Sequence, residues 1–235
     1  NLGNGFRLHP SFAGLQKLYK NGDAAFVHAA ATSYRNRSHF EAQDALESLG
    51  QAGEKEGWLN RALQLRGGTG LAVSRAVPLA LKGAASVTNW SPPIFATPSD
   101  DLLSRLSDLY AGDTTFATSL AATQNNQAMG MQLSKRDSRR FSREYTIALS
   151  SIGRLMSADS GPAIGMVALD GWDTHANQKN ELTRKFTALD EGLAALKTSL
   201  GQSWNKTCVV VCSEFGRTVA ENGTKGTDHG TGGLT

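Results

Sequence analysis

Two continuous apolar runs in the last third of the chain, "AIGMVALD" (163–170) and "CVVVC" (208–212), flank a long amphipathic stretch, "NQKNELTRKFTALDEGLAALKTSLGQSW" (177–204). Strands that are apolar without alternation belong to sheets covered on both faces. Such sheets are parallel, because each crossover helix lies on a face. The pattern predicts an α/β fold with a mostly parallel sheet. It also places every loop that follows a strand at the carboxyl edge of that sheet, where sites form.

The rest of the chain fits the same plan. "LHPSFAGLQKLYKNG" (8–22) has Phe12, Leu15, Leu18 and Tyr19 on one helical face and Gly22 as a stop. An apolar strand is predicted over 24–31, and a helix from near Ser38 to near Gly50. "GWLNRALQLR" (57–66) reads as a helix. "GLAVSRAVPLAL" (70–81) and "ASVTNW" (85–90) read as short extended pieces, broken by Pro78, Gly83 and the pair Pro92 and Pro93. From Asp100 to about Ser157 the pattern is mostly helical, which suggests an insertion or cap over 99–158 beside a single domain spanning 1–235.

With 235 residues, of which 40% are hydrophobic, the chain can bury one sizeable core. A net charge of +3 is too small and too scattered for nucleic-acid binding, and "SKRDSRRFSR" (134–143) reads as a solvated helix face. No apolar run reaches the roughly eighteen residues of a membrane span. Cys208 and Cys212 stand four apart in a predicted strand, about 13 Å between α-carbons, too far for a bridge. They read as buried thiols. The chain opens "NLGNGF" without methionine and stops within "GTGGLT", so it is expected to be part of a longer one.

Polar clusters follow the predicted strands. "DGWDTHAN" carries Asp170, Asp173 and His175, a carboxylate and imidazole set suited to Zn²⁺ or a similar divalent ion, or else a capped turn before the next helix. "SEFGRT" offers Glu214 and Arg217, as a site pair or an internal ion pair. "GTDHG" offers Asp228 and His229 in a glycine-rich loop that either wraps an ion or stays loose. "RSHFE" has two readings. Ser38 and Glu41 match a capping box, yet Ser38, flanked by Arg37 and His39, would also stand at a helix N-terminus that favours an anion. His9 and His28 read as structural.

Five motifs in order, "LHPSFAGLQKLYKNGDAAFVHA", "YRNRSHFEAQDALES", "GWLNRAL", "LDGWDTHANQ" and "VVVCSEFGRTVAENGTKGTDHGTGG", resemble the bacterial domain-of-unknown-function family fifteen hundred and one. That family is similar to the alkaline phosphatase and sulfatase superfamily. The resemblance implies a three-layer α/β/α sandwich, here without the first strand of relatives. It also implies an exported or periplasmic protein, with any twin-arginine signal upstream.

It further implies a hydrolase of small anionic phosphate or sulfate esters that uses one or two divalent metals, zinc among them. By position, Ser38 is similar to the nucleophile, with Arg37 and His39 beside it. Asp173, His175 and His229 look like ligands, with Asp170 as a competing acid and Glu214 and Asp228 as further donors. Arg217 looks like an anion contact. Phe215 falls where active relatives carry a histidine, so the second metal site lacks a ligand there unless Asp228 or His39 substitutes. The alternative is a non-catalytic exported protein with a degenerate metal or anion pocket. Nothing in the sequence fixes an oligomeric state.

Overall fold

A computed structural model describes residues 2, 5–50, 53–74, 76–91, 118 and 142–235. The protein is a mixed α/β structure with a parallel and an antiparallel sheet. The helices are α1 (Ala13–Lys20), α2 (His39–Ser48), α3 (Trp58–Arg66), α4 (Ser142–Met156) and α5 (Gln178–Leu200). The strands are β1 (His28–Ala30), β2 (Gly70–Val73), β3 (Val87–Trp90), β4 (Ile164–Val167) and β5 (Gly233–Leu234). β2 is the middle strand of a parallel sheet ordered β3-β2-β4, whereas β1 and β5 pair antiparallel.

β2 is buried along its whole length, as its apolar sequence requires. Leu71 and Val73 join Leu149 and Ile152 of α4 and Leu193, Leu196 and Leu200 of α5 in one cluster. Ala72, pointing the other way, meets Leu63 of α3 and Leu81 of a 3₁₀ turn at Leu79–Leu81. The two-residue period of the strand thus feeds two hydrophobic clusters. α1 has Phe12 at its N-cap, which offers no capping oxygen. Asp190 of α5 supplies one instead, accepting from the N–H groups of Gly14 at 2.8 Å and Leu15 at 2.7 Å.

Several expectations need correction. The strand predicted over 24–31 shrinks to β1, and its first two residues are exposed. The run "CVVVC" forms no strand among the described residues. Val209, Val210 and Val211 are exposed, and Cys208 and Cys212 are free and exposed rather than buried. Apolar composition marks a segment fit for a sheet, but burial needs a neighbour on each face, and among the described residues these three valines keep 39 to 57% of their surface exposed.

The helical insertion over 99–158 falls largely outside the described residues, apart from Thr118 and α4, as does most of 134–143. Among the described residues, no helix is long and apolar enough to cross a membrane.

Candidate metal centre

Three segments meet beyond the end of β4. The first is the N-terminus of α2. Arg37 takes a left-handed backbone, φ 59°, which turns the chain so that His39 opens the helix. Ser38 is the N-cap, with φ −85° and ψ 125°, but its hydroxyl makes no capping bond. Glu41, which would close a capping box, accepts instead from the hydroxyl of Tyr34. The predicted box therefore does not form, and the serine oxygen is not committed to α2.

The second segment is the loop after β4, which carries Asp173 and His175. Its first turn is held by the hydroxyl of Tyr145 and the ammonium of Lys185, which donate to the carbonyl of Asp170 at 3.0 and 3.3 Å. Lys185 is buried and also lies over the Trp172 ring, 5.7 Å from its centre.

The third is the glycine-rich loop, which closes as an irregular hairpin. Gly216 N–H donates to Thr231 O at 3.2 Å, Gly230 N–H to Gly216 O at 2.7 Å and Thr218 N–H to Asp228 O at 2.8 Å. A β-carbon at Gly226 would overlap the backbone of His175, so this glycine is what lets the hairpin lie against the β4 loop. The amide of Asn222 ties the two together. Its Nδ2 donates to His175 O at 3.0 Å and to Asp228 Oδ1 at 3.1 Å, while its oxygen accepts from the N–H groups of Thr224 and Gly226.

At the meeting point the Nε2 atoms of His39 and His175 each lie 3.1 Å from Nε2 of His229. The carboxylate of Asp173 reaches all of them, 3.3 Å from His39, 2.9 Å from His175 and 3.1 Å from His229. The other ring nitrogens face oxygen: Nδ1 of His39 lies 2.7 Å from Glu214 Oε1, that of His175 3.2 Å from Asp228 Oδ1, and that of His229 3.1 Å from Arg37 O. Arg217 pairs with Asp173 and with Thr227, not with Glu214.

The charges respond to these contacts. The bond to Glu214 raises the pKa of His39, with the Asp173 charge adding to it and burial opposing. Burial alone would push Asp173 and Glu214 up. The bond from Arg217 with the His175 charge, and the bond from His39, outweigh it and hold both carboxyls below their ordinary values. Asp228 is lowered by its bond from Asn222 and then by His175.

The structure thus brings together His39, Asp173, His175, Glu214, Arg217, Asp228 and His229. Imidazole nitrogens with one carboxylate form a donor set that fits a divalent ion, and His39, Asp173 and His229 place one atom each within 4.8 Å of one another. Asp170 enters through its carbonyl, which braces the loop, and Arg37 through its carbonyl on His229. Phe215 lies against the rings of His39 and His229, 4.8 Å from each. The sequence reading missed Asn222. Its signal was an Asn-Gly pair inside a glycine-rich loop, where an asparagine amide bonds its own turn.

A family model described as "Protein of unknown function (DUF1501)" matches residues 25–235. No curated protein matches the chain, and no solved structure does.

Proposed function

We propose a function from the site itself, since the chain belongs to the DUF1501 family, whose description assigns none: a metal-dependent hydrolase of phosphate or sulfate esters with Ser38 as nucleophile. The observation that carries this reading is the convergence of three histidines and Asp173 next to a serine whose hydroxyl is not used as a cap. An alkaline phosphatase-like sandwich agrees with a parallel sheet whose central strand feeds an apolar cluster on either face.

A divalent ion bound here would offset the negative charge of the transferred group and lower the pKa of a nearby hydroxyl. The protein's own groups do the rest. Asp173, His39, His175 and His229 are the donors that hold the ion. Ser38 Oγ bonds to phosphorus or sulfur as the bond to the ester oxygen breaks. Over the cycle the hydroxyl proton ends on the leaving alcohol, and water returns a hydroxyl to the phosphate or sulfate and a proton to Ser38. Arg37 and Arg217 favour an anionic substrate at the start of α2. Export to the periplasm belongs to the same proposal.

Metal-loaded full chain assayed on aryl phosphates, aryl sulfates and diesters should show hydrolysis that is lost in Ser38→Ala. No turnover on any of them would sink the hydrolase reading. One observation favours a second reading, a metal-dependent anion-binding protein without catalysis: Phe215 fills the flank of His39 and His229 with a ring that brings no donor. Binding of sulfate or phosphate without turnover would establish it.

A further inference from the structure

We infer that Asn222 and Gly223 form a covalent modification site. The Gly223 nitrogen closes on the Asn222 side-chain amide, ammonia leaves, and hydrolysis yields an aspartate or isoaspartate that frees the hairpin from the β4 loop. The inference is independent of the hydrolase reading and needs no metal.

An Asn-Gly pair is open to this ring closure because glycine has no β-carbon to shield its own nitrogen. The pair occurs at Asn4–Gly5, Asn21–Gly22 and Asn222–Gly223. Asn4 lies outside the described residues. At Asn21 the attacking nitrogen is engaged, since Gly22 N–H donates to Tyr19 O at 3.1 Å at the end of α1. The Asn21 amide oxygen accepts no bond among the described residues.

At Asn222 both conditions reverse. Gly223 is exposed and is the second residue of a turn closed by Lys225 N–H on Asn222 O at 3.2 Å. Its own N–H donates to nothing among the described residues. The side-chain oxygen of Asn222 accepts from the N–H groups of Thr224 and Gly226, both at 3.0 Å. Donors on a carbonyl oxygen draw charge from its carbon and stabilise the oxyanion that forms on attack. A free nucleophile and a polarised electrophile therefore adjoin at 222–223 and not at 21–22.

The bond from Gly223 N to Cγ forms as the bond from Cγ to Nδ2 breaks, and the Gly223 proton departs with the amide as ammonia. Water then opens the imide at either carbonyl, giving aspartate or isoaspartate, with no oxidant or reductant involved. The product side chain no longer donates. Nδ2 of Asn222 had bonded His175 O at 3.0 Å and Asp228 Oδ1 at 3.1 Å, so a carboxylate there faces two acceptors, one of them charged. Beside it the hairpin is held by Asn177 N–H on Thr224 O at 3.1 Å and Gln178 N–H on Lys225 O at 2.9 Å, and release is read at those two amides.

Purified full chain is incubated at mildly alkaline pH, digested at intervals, and its peptides weighed for amide turned to carboxylate. Asn222 is expected to convert at least about fivefold faster than Asn21, the worth in rate of one hydrogen bond. In urea the two rates should converge. Gly223→Ala, whose methyl group meets nothing within 4 Å, should abolish conversion at 222 and leave Asn21 as it was. Asn222→Asp supplies the aspartyl product outright and should speed hydrogen exchange at the Asn177 and Gln178 amides about tenfold or more.

Conversion at Asn21 as fast as at Asn222, a native rate at Asn222 below its rate in urea, or undiminished conversion in Gly223→Ala would overturn the modification site. Unchanged exchange in Asn222→Asp would overturn the release of the hairpin.

Discussion

His175 and His229 bring their Nε2 atoms to 3.1 Å from each other while Nδ1 of one faces Asp228 and Nδ1 of the other faces the Arg37 carbonyl. A proton between them joins only that pair, whereas a divalent ion would engage both nitrogens and Asp173 in the protein. Loading should therefore stabilise it: at a Zn²⁺ concentration 100 times Kd the gain is about 2.7 kcal/mol, or on the order of 5–10 °C in Tm. Differential scanning fluorimetry with and without chelator measures this. An unchanged Tm across a zinc titration would count against a specific ion.

Ser38 separates chemistry from capping. Because its hydroxyl makes no capping bond, Ser38→Ala should change unfolding free energy by less than about 0.5 kcal/mol, rather than the ~1 kcal/mol of a lost cap. Hydrolysis should vanish. Urea denaturation beside the ester assay tests both, and a full capping loss would return the serine to a structural role.

Gly226 holds the hairpin against the β4 loop. Gly226→Ala places a methyl group on the His175 backbone, so it should cost about 1–3 kcal/mol and weaken metal binding together. Calorimetric titration of the variant checks the coupling. Wild-type affinity would show that the loop accommodates the methyl.

Asp190 offers a control remote from the site. It bonds two N–H groups at the start of α1, so Asp190→Ala should lower stability by about 1 kcal/mol and leave metal affinity unchanged. Chemical denaturation and the same titration read the two effects separately.

The pH response of the metal-free chain follows from the shifts. His39 has a raised pKa, so its contribution is complete below its ordinary 6.5 and is lost as pH rises through the folded value. Glu214 and Asp173 are lowered, so theirs are present above 4.5 and 3.8 and are lost as pH falls through the folded values. Stability should peak between those limits. The lead of the native chain over His39→Ala in thermal melts should shrink above pH 6.5, and a lead that grows with pH would contradict the assignment.

Much of this was legible in the sequence, and the gaps have physical causes. α2, α3 and α5 were legible as helices, β2 and β3 as short extended pieces, and β4 through a continuous apolar run. Asp173, His175 and His229 were legible as metal-binding types at strand ends. What residue type cannot convey is which atom of a ring points inward. Glu214 and Asp228 read as donors, yet they stand behind histidines, and His39 read as the neighbour of a nucleophile or a substitute ligand, with its Nε2 facing the centre. The valines at 209–211 show the complementary limit, since hydrophobicity names a need for cover and not what provides it.

The groups around His39 come from opposite ends of the chain: its partners Glu214 and His229 lie 175 and 190 positions away. Closing so long a loop is entropically slow and happens only when the intervening sheet and helices hold the ends in register. The centre is thus a late feature of folding, absent from any fragment that stops before the hairpin. A ribosome-bound nascent chain would have its sheet before its site, and occupancy of the site would report that the glycine-rich hairpin has docked.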